Sequence, residues 1–135
     1  MTPHSILIID DDEQLRTLFR KVLEEAGYLV FEAPNGQRGL RLFQQTPIAL
    51  VITDLFMPNM DGMEVTMTLH RESSNTKIIL LTGGSDERHL LDAATFLGAH
   101  RTLTKPIMIA DLLHAVEQEL LDRPSDKEEA LHEEG

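Results

Sequence analysis

Three short runs of apolar residues, Ile6–Ile9, Ile48–Ile52 and Ile78–Leu81, constrain this chain more than anything else in it. Each is bounded by polar or turn-forming residues. None alternates apolar with polar, as a strand with one wet face does. Continuous runs of this length suit strands buried on both faces, the situation in a parallel sheet covered by helices on each side. Tyr28–Phe31 and the weaker Arg101–Leu103 extend the set to five.

Helical patterns fill the gaps. Leu15, Leu18, Phe19, Val22, Leu23 and Ala26 fall on one helical face, and Gly27 is placed to stop that helix. Asn35 can cap a second helix running to about Gln45, where Pro47 ends it. A third is expected after Gly62. A fourth starts at Ser85, with Asp86 and Glu87 in its first turn, and ends at Gly98. The fifth carries Ile109, Leu112, Leu113, Val116 and Leu120 on its inner side. Strand and helix thus alternate five times. Parallel strands need such crossovers, which are right-handed, and the expected architecture is a three-layer α/β sandwich. Pro124 breaks the last helix. Ser125 and Glu128 have capping-box spacing, so a short additional helix and a frayed acidic tail both fit residues 123–135.

A chain of 135 residues, 41% of them apolar, suggests one domain with one sizeable core. No apolar run approaches the roughly 18 residues needed to cross a membrane. Met1 to Ser5 lacks the features of a signal peptide, and the chain has no cysteine for disulfides or thiolate metal sites. A cytoplasmic location is the expectation. The formal net charge of −11 makes the chain a poor candidate for direct nucleic-acid binding, which needs a basic face. Part of that charge is local, since residues 122–135 hold six acids against two basic residues. A solvated surface accounts for much of it, but clustered carboxylates elsewhere can also serve a divalent cation.

The polar residues that end the strands decide where to look. The first run ends in Asp10-Asp11-Asp12, the second in Thr53-Asp54, the third in Thr82-Gly83-Gly84, and the fifth strand in Lys105-Pro106. In parallel strands all of these fall at one edge of the sheet, the edge where doubly wound folds bind ligands. Ionised carboxylates gathered there need a compensating charge. A hard dication with oxygen ligands supplies it, and Mg2+ works with few carboxylates, water and phosphate. A lysine across the site adds a second positive charge for a phosphoryl group. A carboxylate can itself be the nucleophile, giving an aspartyl phosphate, while metal and lysine stabilise the charge on the transferring oxygens.

The segments Ile6-Leu7-Ile8-Ile9-Asp10-Asp11-Asp12, Asp54-Leu55-Phe56-Met57-Pro58-Asn59-Met60-Asp61-Gly62, Leu81-Thr82-Gly83 and Thr104-Lys105-Pro106 resemble those of response-regulator receiver domains. Each motif alone is weak. Their order, and their positions at element ends, make the resemblance specific over residues 5–122, with 123–135 left as an acidic tail or the start of a linker. The resemblance implies a flavodoxin-like (βα)5 fold with strand order 2-1-3-4-5. It also implies a module that accepts a phosphoryl group from a histidine kinase or phosphotransfer protein and controls an output domain or effector protein. Asp54 is then the phosphoacceptor. Asp11 binds Mg2+ directly, Asp10 mainly through water, and Phe56 through its backbone carbonyl. Thr82 donates its hydroxyl to a phosphoryl oxygen. Lys105 pairs with Asp54 before transfer and with the phosphoryl group afterwards. Small Gly83 lets a backbone N–H approach the phosphate, and the Lys105–Pro106 bond is cis. Position 102, commonly aromatic in the family, is Thr102 here, which puts the usual inward turn of an aromatic ring in doubt.

Plainer readings stand beside these. Asp11 or Asp12 can cap the first helix, Asp12 being the better placed. Asp61 with Gly62 shapes the turn after Asp54. The six histidines have no metal-binding spacing and read as surface residues. Met57, Met60, Met63 and Met67 read as core filler or a partner surface. Among other functions, a phosphatase of the haloacid dehalogenase type requires a second aspartate two positions after the nucleophile, where this chain has Phe56. A flavin protein needs a phosphate loop where this chain has three acids. A degenerate receiver acting only as an interaction module is hard to reconcile with Asp11, Asp54, Thr82 and Lys105 all present. The residues outside the receiver are too few for an output domain, so the chain is expected either to stand alone or to be the front of a longer regulator.

Overall fold

The computed structural model describes residues 3–57, 60–73, 75–83, 95 and 98–121. Among the described residues five strands and four helices follow in the order β1 (Ser5–Ile9), α1 (Glu13–Glu25), β2 (Leu29–Ala33), α2 (Gly36–Gln45), β3 (Leu50–Asp54), α3 (Gly62–Glu72), β4 (Lys77–Thr82), β5 (Arg101–Thr104) and α4 (Ile109–Leu121). The helix expected from Ser85 to Gly98 lies outside the described residues except at Thr95 and Gly98, so α4 is the fifth of the predicted helices.

All strand pairs are parallel, in the order β2-β1-β3-β4-β5. The continuous apolar runs have the use their pattern implies. Ile6, Ile8, Leu50, Ile52, Ile79 and Leu81 point to one face, where Phe19 and Leu23 of α1 and Leu112, Ala115, Val116 and Leu120 of α4 cover them. Leu7, Ile9, Val51, Ile78 and Leu80 point to the other, under Leu40 of α2 and Val65 and Leu69 of α3. Two cores therefore share one sheet, and each strand residue feeds one or the other.

The helix ends follow their capping chemistry. Asp12 accepts from the amides of Gln14 and Leu15 at the start of α1, Asn35 from Arg38 at the start of α2, and Asp61 from Glu64 at the start of α3. Gly27 follows α1 with φ +99°, a conformation that only glycine takes without strain, and its N–H closes on the Glu24 carbonyl.

Three details depart from expectation. The third strand begins at Leu50 and not at Ile48, because its ladder with β1 starts at the Ile6–Leu50 pair. Leu18 and Ala26 lie on the exposed side of α1, since the two-layer contact with the sheet is narrower than the apolar stripe and is filled by Phe19 and Leu23. Ile109 is likewise exposed at the first turn of α4, and Ala115 takes a buried place on that helix.

Candidate functional site

The parallel sheet brings the ends of β1, β3, β4 and β5 to one edge. Asp10 follows β1 and is fully buried. Asp54 ends β3 and is nearly so. Asp11, one residue beyond Asp10, is exposed. Oxygens of these three carboxylates lie within 4.8 Å of one another. Lys105, just past β5, reaches back across the sheet edge. Its Nζ lies 3.1 Å from Asp54 Oδ2 and 3.5 Å from Asp10 Oδ2. The lysine backbone is fixed as well, because its N–H donates to the Thr82 carbonyl at 2.7 Å. The Lys105–Pro106 bond is cis, as the resemblance implies.

Local hydrogen bonds fix the acidic loop. The Asp10 N–H donates to the Ala33 carbonyl, continuing the β1–β2 ladder by one residue. The Asp12 N–H donates to Asp10 Oδ1 at 2.9 Å, which aims the buried carboxylate. On the other side of the site, the Leu55 N–H donates to the Leu81 carbonyl and the Gly62 N–H to the Leu55 carbonyl. The turn after Asp54 is thereby closed onto the start of α3. A side chain at Gly62 would run into the Asp54 carbonyl and Leu55 Cα, so the close approach requires glycine at this position.

Electrostatics follow from burial. Loss of water raises the Asp10 carboxyl above its ordinary range, and the neighbouring Asp54 charge adds to this; the Asp12 amide and Lys105 oppose it only in part. Asp54 is raised for the same first reason, with Asp11 adding to the rise and Lys105 opposing it. Burial pulls the Lys105 ammonium down, but Asp10 and Asp54 outweigh it and the net direction is up. One ammonium faces three carboxylates, so the cluster is short of positive charge. Its donors are all oxygens, with no imidazole or thiolate in the group. That donor set fits a hard dication such as Mg2+.

Thr82 ends β4, fully buried, and among the described residues its Oγ1 has no hydrogen-bond partner. A buried hydroxyl of this kind gains by donating to an acceptor placed beside it. Phe56 has an exposed ring in the turn beyond Asp54, and among the described residues no hydrogen bond occupies its carbonyl. Thr102 is half-buried on β5 beside Leu80, and Gly84 lies outside the described residues. Four of the six residues singled out from the sequence, Asp10, Asp11, Asp54 and Lys105, meet in one cluster. Sequence reasoning missed Arg16, whose Nη1 donates to the Asp10 carbonyl at 2.6 Å. A cleft of about 450 Å3 at the opposite, amino-terminal edge of the sheet, lined by Pro3, Phe43, Pro47 and Ser73 among others, holds none of these groups.

The model of the response regulator receiver domain matches residues 6–117. The chain belongs to the response-regulator receiver family. Among curated relatives, this receiver is 33% identical over 116 residues to the response regulator receiver protein CpdR of Brucella abortus, a match covering 86% of this chain and 96% of CpdR. It is 35% identical over 103 residues to the transcriptional regulatory protein SrrA of Staphylococcus aureus; there the match covers 76% of this chain but only 42% of SrrA. Among solved structures, the response regulator TrrA of Thermotoga maritima, in complex with Mg2+ and BeF, superposes with a TM-score of 0.78 at 32% identity, covering 86% of this chain and 98% of that one.

Proposed function

We propose that Asp54 is the phosphoacceptor of this receiver and that Asp10, Asp11, Asp54 and the Phe56 carbonyl hold the Mg2+ on which the transfer depends. The domain spans residues 5–122, with 123–135 a tail or linker. The observation that carries this reading is the meeting of Lys105 Nζ with Asp54 Oδ2 at 3.1 Å beside the oxygens of Asp10 and Asp11. The Mg2+ complex of TrrA supports it by similarity.

The chemistry is that of a positioned carboxylate. An Asp54 oxygen attacks phosphorus in line with the leaving group, a new O–P bond forms, and the bond from phosphorus to the donor breaks. With a phosphohistidine donor, the electron pair leaves with the imidazole nitrogen. Mg2+ supplies positive charge to the transferring oxygens. Lys105 supplies more from the other side, and its tie to Thr82 keeps it at the sheet edge. The buried Thr82 hydroxyl, which has no hydrogen-bond partner among the described residues, acts as donor to a phosphoryl oxygen once Asp54 is modified. That bond forms only in the phosphorylated state, so it biases the domain toward a second conformation. The donor is a sensor histidine kinase or phosphotransfer protein, the recipient of the signal is an output domain or effector, and the setting is the cytoplasm. Among the described residues no helix is long and apolar enough to cross a membrane.

Incubation with acetyl phosphate and Mg2+ should add one phosphoryl mass to the protein. Asp54→Asn should remove that addition, and a chelator should suppress it in the unaltered protein. Full modification of the Asp54→Asn protein at another residue would overturn the assignment.

A further inference from the structure

The guanidinium of Arg16 joins the backbone just beyond β1 to a side chain of the neighbouring strand β2. Arg16 lies in the first turns of α1, and its Nη1 donates to the backbone carbonyl of Asp10 at 2.6 Å. Its Nε donates to Glu32 Oε1 on β2 at 3.3 Å. The pair is shielded from water, with the two side chains 14% and 23% exposed. Glu32 uses its second oxygen to accept from Arg20 Nη1 at 3.0 Å, and Arg20 in turn pairs with Glu24 in open solvent. The chain of contacts therefore runs from the surface of α1, through β2, to the peptide that joins Asp10 to Asp11.

That peptide is where the contact matters. A peptide unit is planar, so holding the Asp10 carbonyl oxygen also fixes the direction of the Asp11 N–H and the departure of the chain toward Asp11 Cα. The Asp10 N–H is held independently by the Ala33 carbonyl, and Asp10 Oδ1 by the Asp12 N–H. Asp11 itself is exposed, and no described side chain orients it. Its carboxylate can be preset only through its backbone. The guanidinium also offers a planar fork that a lysine cannot copy, since one ammonium cannot easily serve the carbonyl and Glu32 in the same geometry.

We propose that Arg16, held by Glu32, is a positioning residue for the divalent-cation site: it sets the Asp10–Asp11 peptide so that the exposed carboxylate of Asp11 is already aimed when the ion arrives. This rests on the reading of Asp10, Asp11 and Asp54 as that site. Groups that orient a metal ligand commonly cost about 10-fold or more in affinity when removed.

The test is a Mg2+ titration of the full chain, followed by amide NMR shifts, with melting temperatures recorded in chelator. Arg16→Met should bind Mg2+ about 10-fold more weakly and shift the Asp11 amide in the metal-free protein. Arg16→Lys should fall between this variant and the unaltered protein. Glu32→Gln should also weaken binding, and it decides the matter if Arg16→Met does not fold. Arg20→Met, which removes only the exposed end of the chain of contacts, should stay within about twofold. Unchanged affinity in Arg16→Met, or in Glu32→Gln where Arg16→Met fails to fold, would overturn the proposal while leaving the cation site intact. So would an equal loss in Arg20→Met, which would reduce the effect to general loosening of α1. A protein that gives no saturable response to Mg2+ at all would instead remove the cation site, and this proposal with it.

Discussion

His100 has a use that its composition class conceals. The residue keeps a surface position just before β5, but its ring is turned so that Nδ1 accepts the Ile78 N–H at 3.0 Å, while the His100 backbone N–H donates to the Ile78 carbonyl. A protonated Nδ1 cannot accept. Loss of water around the ring lowers the His100 pKa, and the nearby charges of Lys77 and His70 lower it further against the opposing pull of Glu119. A base whose folded pKa lies below its unfolded value stabilises the fold above the unfolded value, about 6.5, and that contribution is lost as pH falls through the folded value. Thermal stability is therefore expected to drop on acidification below about pH 6.5 by more in the unaltered protein than in His100→Asn, whose amide oxygen can accept the same N–H at any pH. Comparing the two melting curves isolates His100, because the raised carboxyls of Asp10 and Asp54 act in both proteins and with the opposite sign. Parallel curves would refute the role. A lone histidine in a sequence carries no mark of such a bond, and reading all six as inert surface residues overlooked it.

At the scale of elements, the turn from β3 into α3 links a packing constraint to the chemistry. Gly62 packs against the Asp54 carbonyl and Leu55 Cα, and its N–H is bound to the Leu55 carbonyl. Gly62→Ala is expected to destabilise the fold by about 1–3 kcal/mol, as overpacking does. It should also slow phosphorylation at saturating Mg2+, because the displaced backbone is that of Asp54 itself. Denaturant unfolding and acetyl-phosphate kinetics measure the two effects. Normal kinetics in a destabilised variant would separate the turn from the site. The strands were the most legible elements, since a run apolar at every position has few uses outside a covered parallel sheet. Their ends were less so: Thr53 and Asp54 are polar yet belong to β3, because the ladder with β4 continues through the Asp54–Leu81 pair. The helix faces blurred for a different reason. Leu18 and Ile109 match the helical period, but the period gives a direction and not the width of the contact, and both residues fall outside it. The four clustered residues, Asp10, Asp11, Asp54 and Lys105, could be found from their positions at or just past strand ends. Arg16 could not, because its contact is to a backbone carbonyl, which no residue type announces.

For the molecule as a whole, the fold gathers three carboxylates and a lysine at the edge formed by the carboxyl ends of the strands. Asp10 is fully buried, Asp54 nearly so, and both carboxyls are raised by that burial. Their ionised forms are less favourable folded than unfolded, so at neutral pH the metal-free fold carries a cost at the very place where strands β1 and β3 must stay paired. A bound dication reverses the sign, because it interacts with the assembled cluster and not with the dispersed carboxylates of an unfolded chain. By mass action, ion at about 100 times its dissociation constant should add about 2.7 kcal/mol. Melting in excess Mg2+ is thus expected well above melting in chelator. Asp11→Asn should shrink that difference by weakening the ion's hold. Asp54→Asn should do the same, but it should also raise the melting temperature in chelator, because it removes a carboxylate whose charge is disfavoured in the metal-free fold. A rise in chelator together with a smaller gain from Mg2+ distinguishes an electrostatic cost from a general loss of packing, which would lower stability in both conditions. Equal melting of the unaltered protein in Mg2+ and in chelator would show that the acidic edge is no cation site.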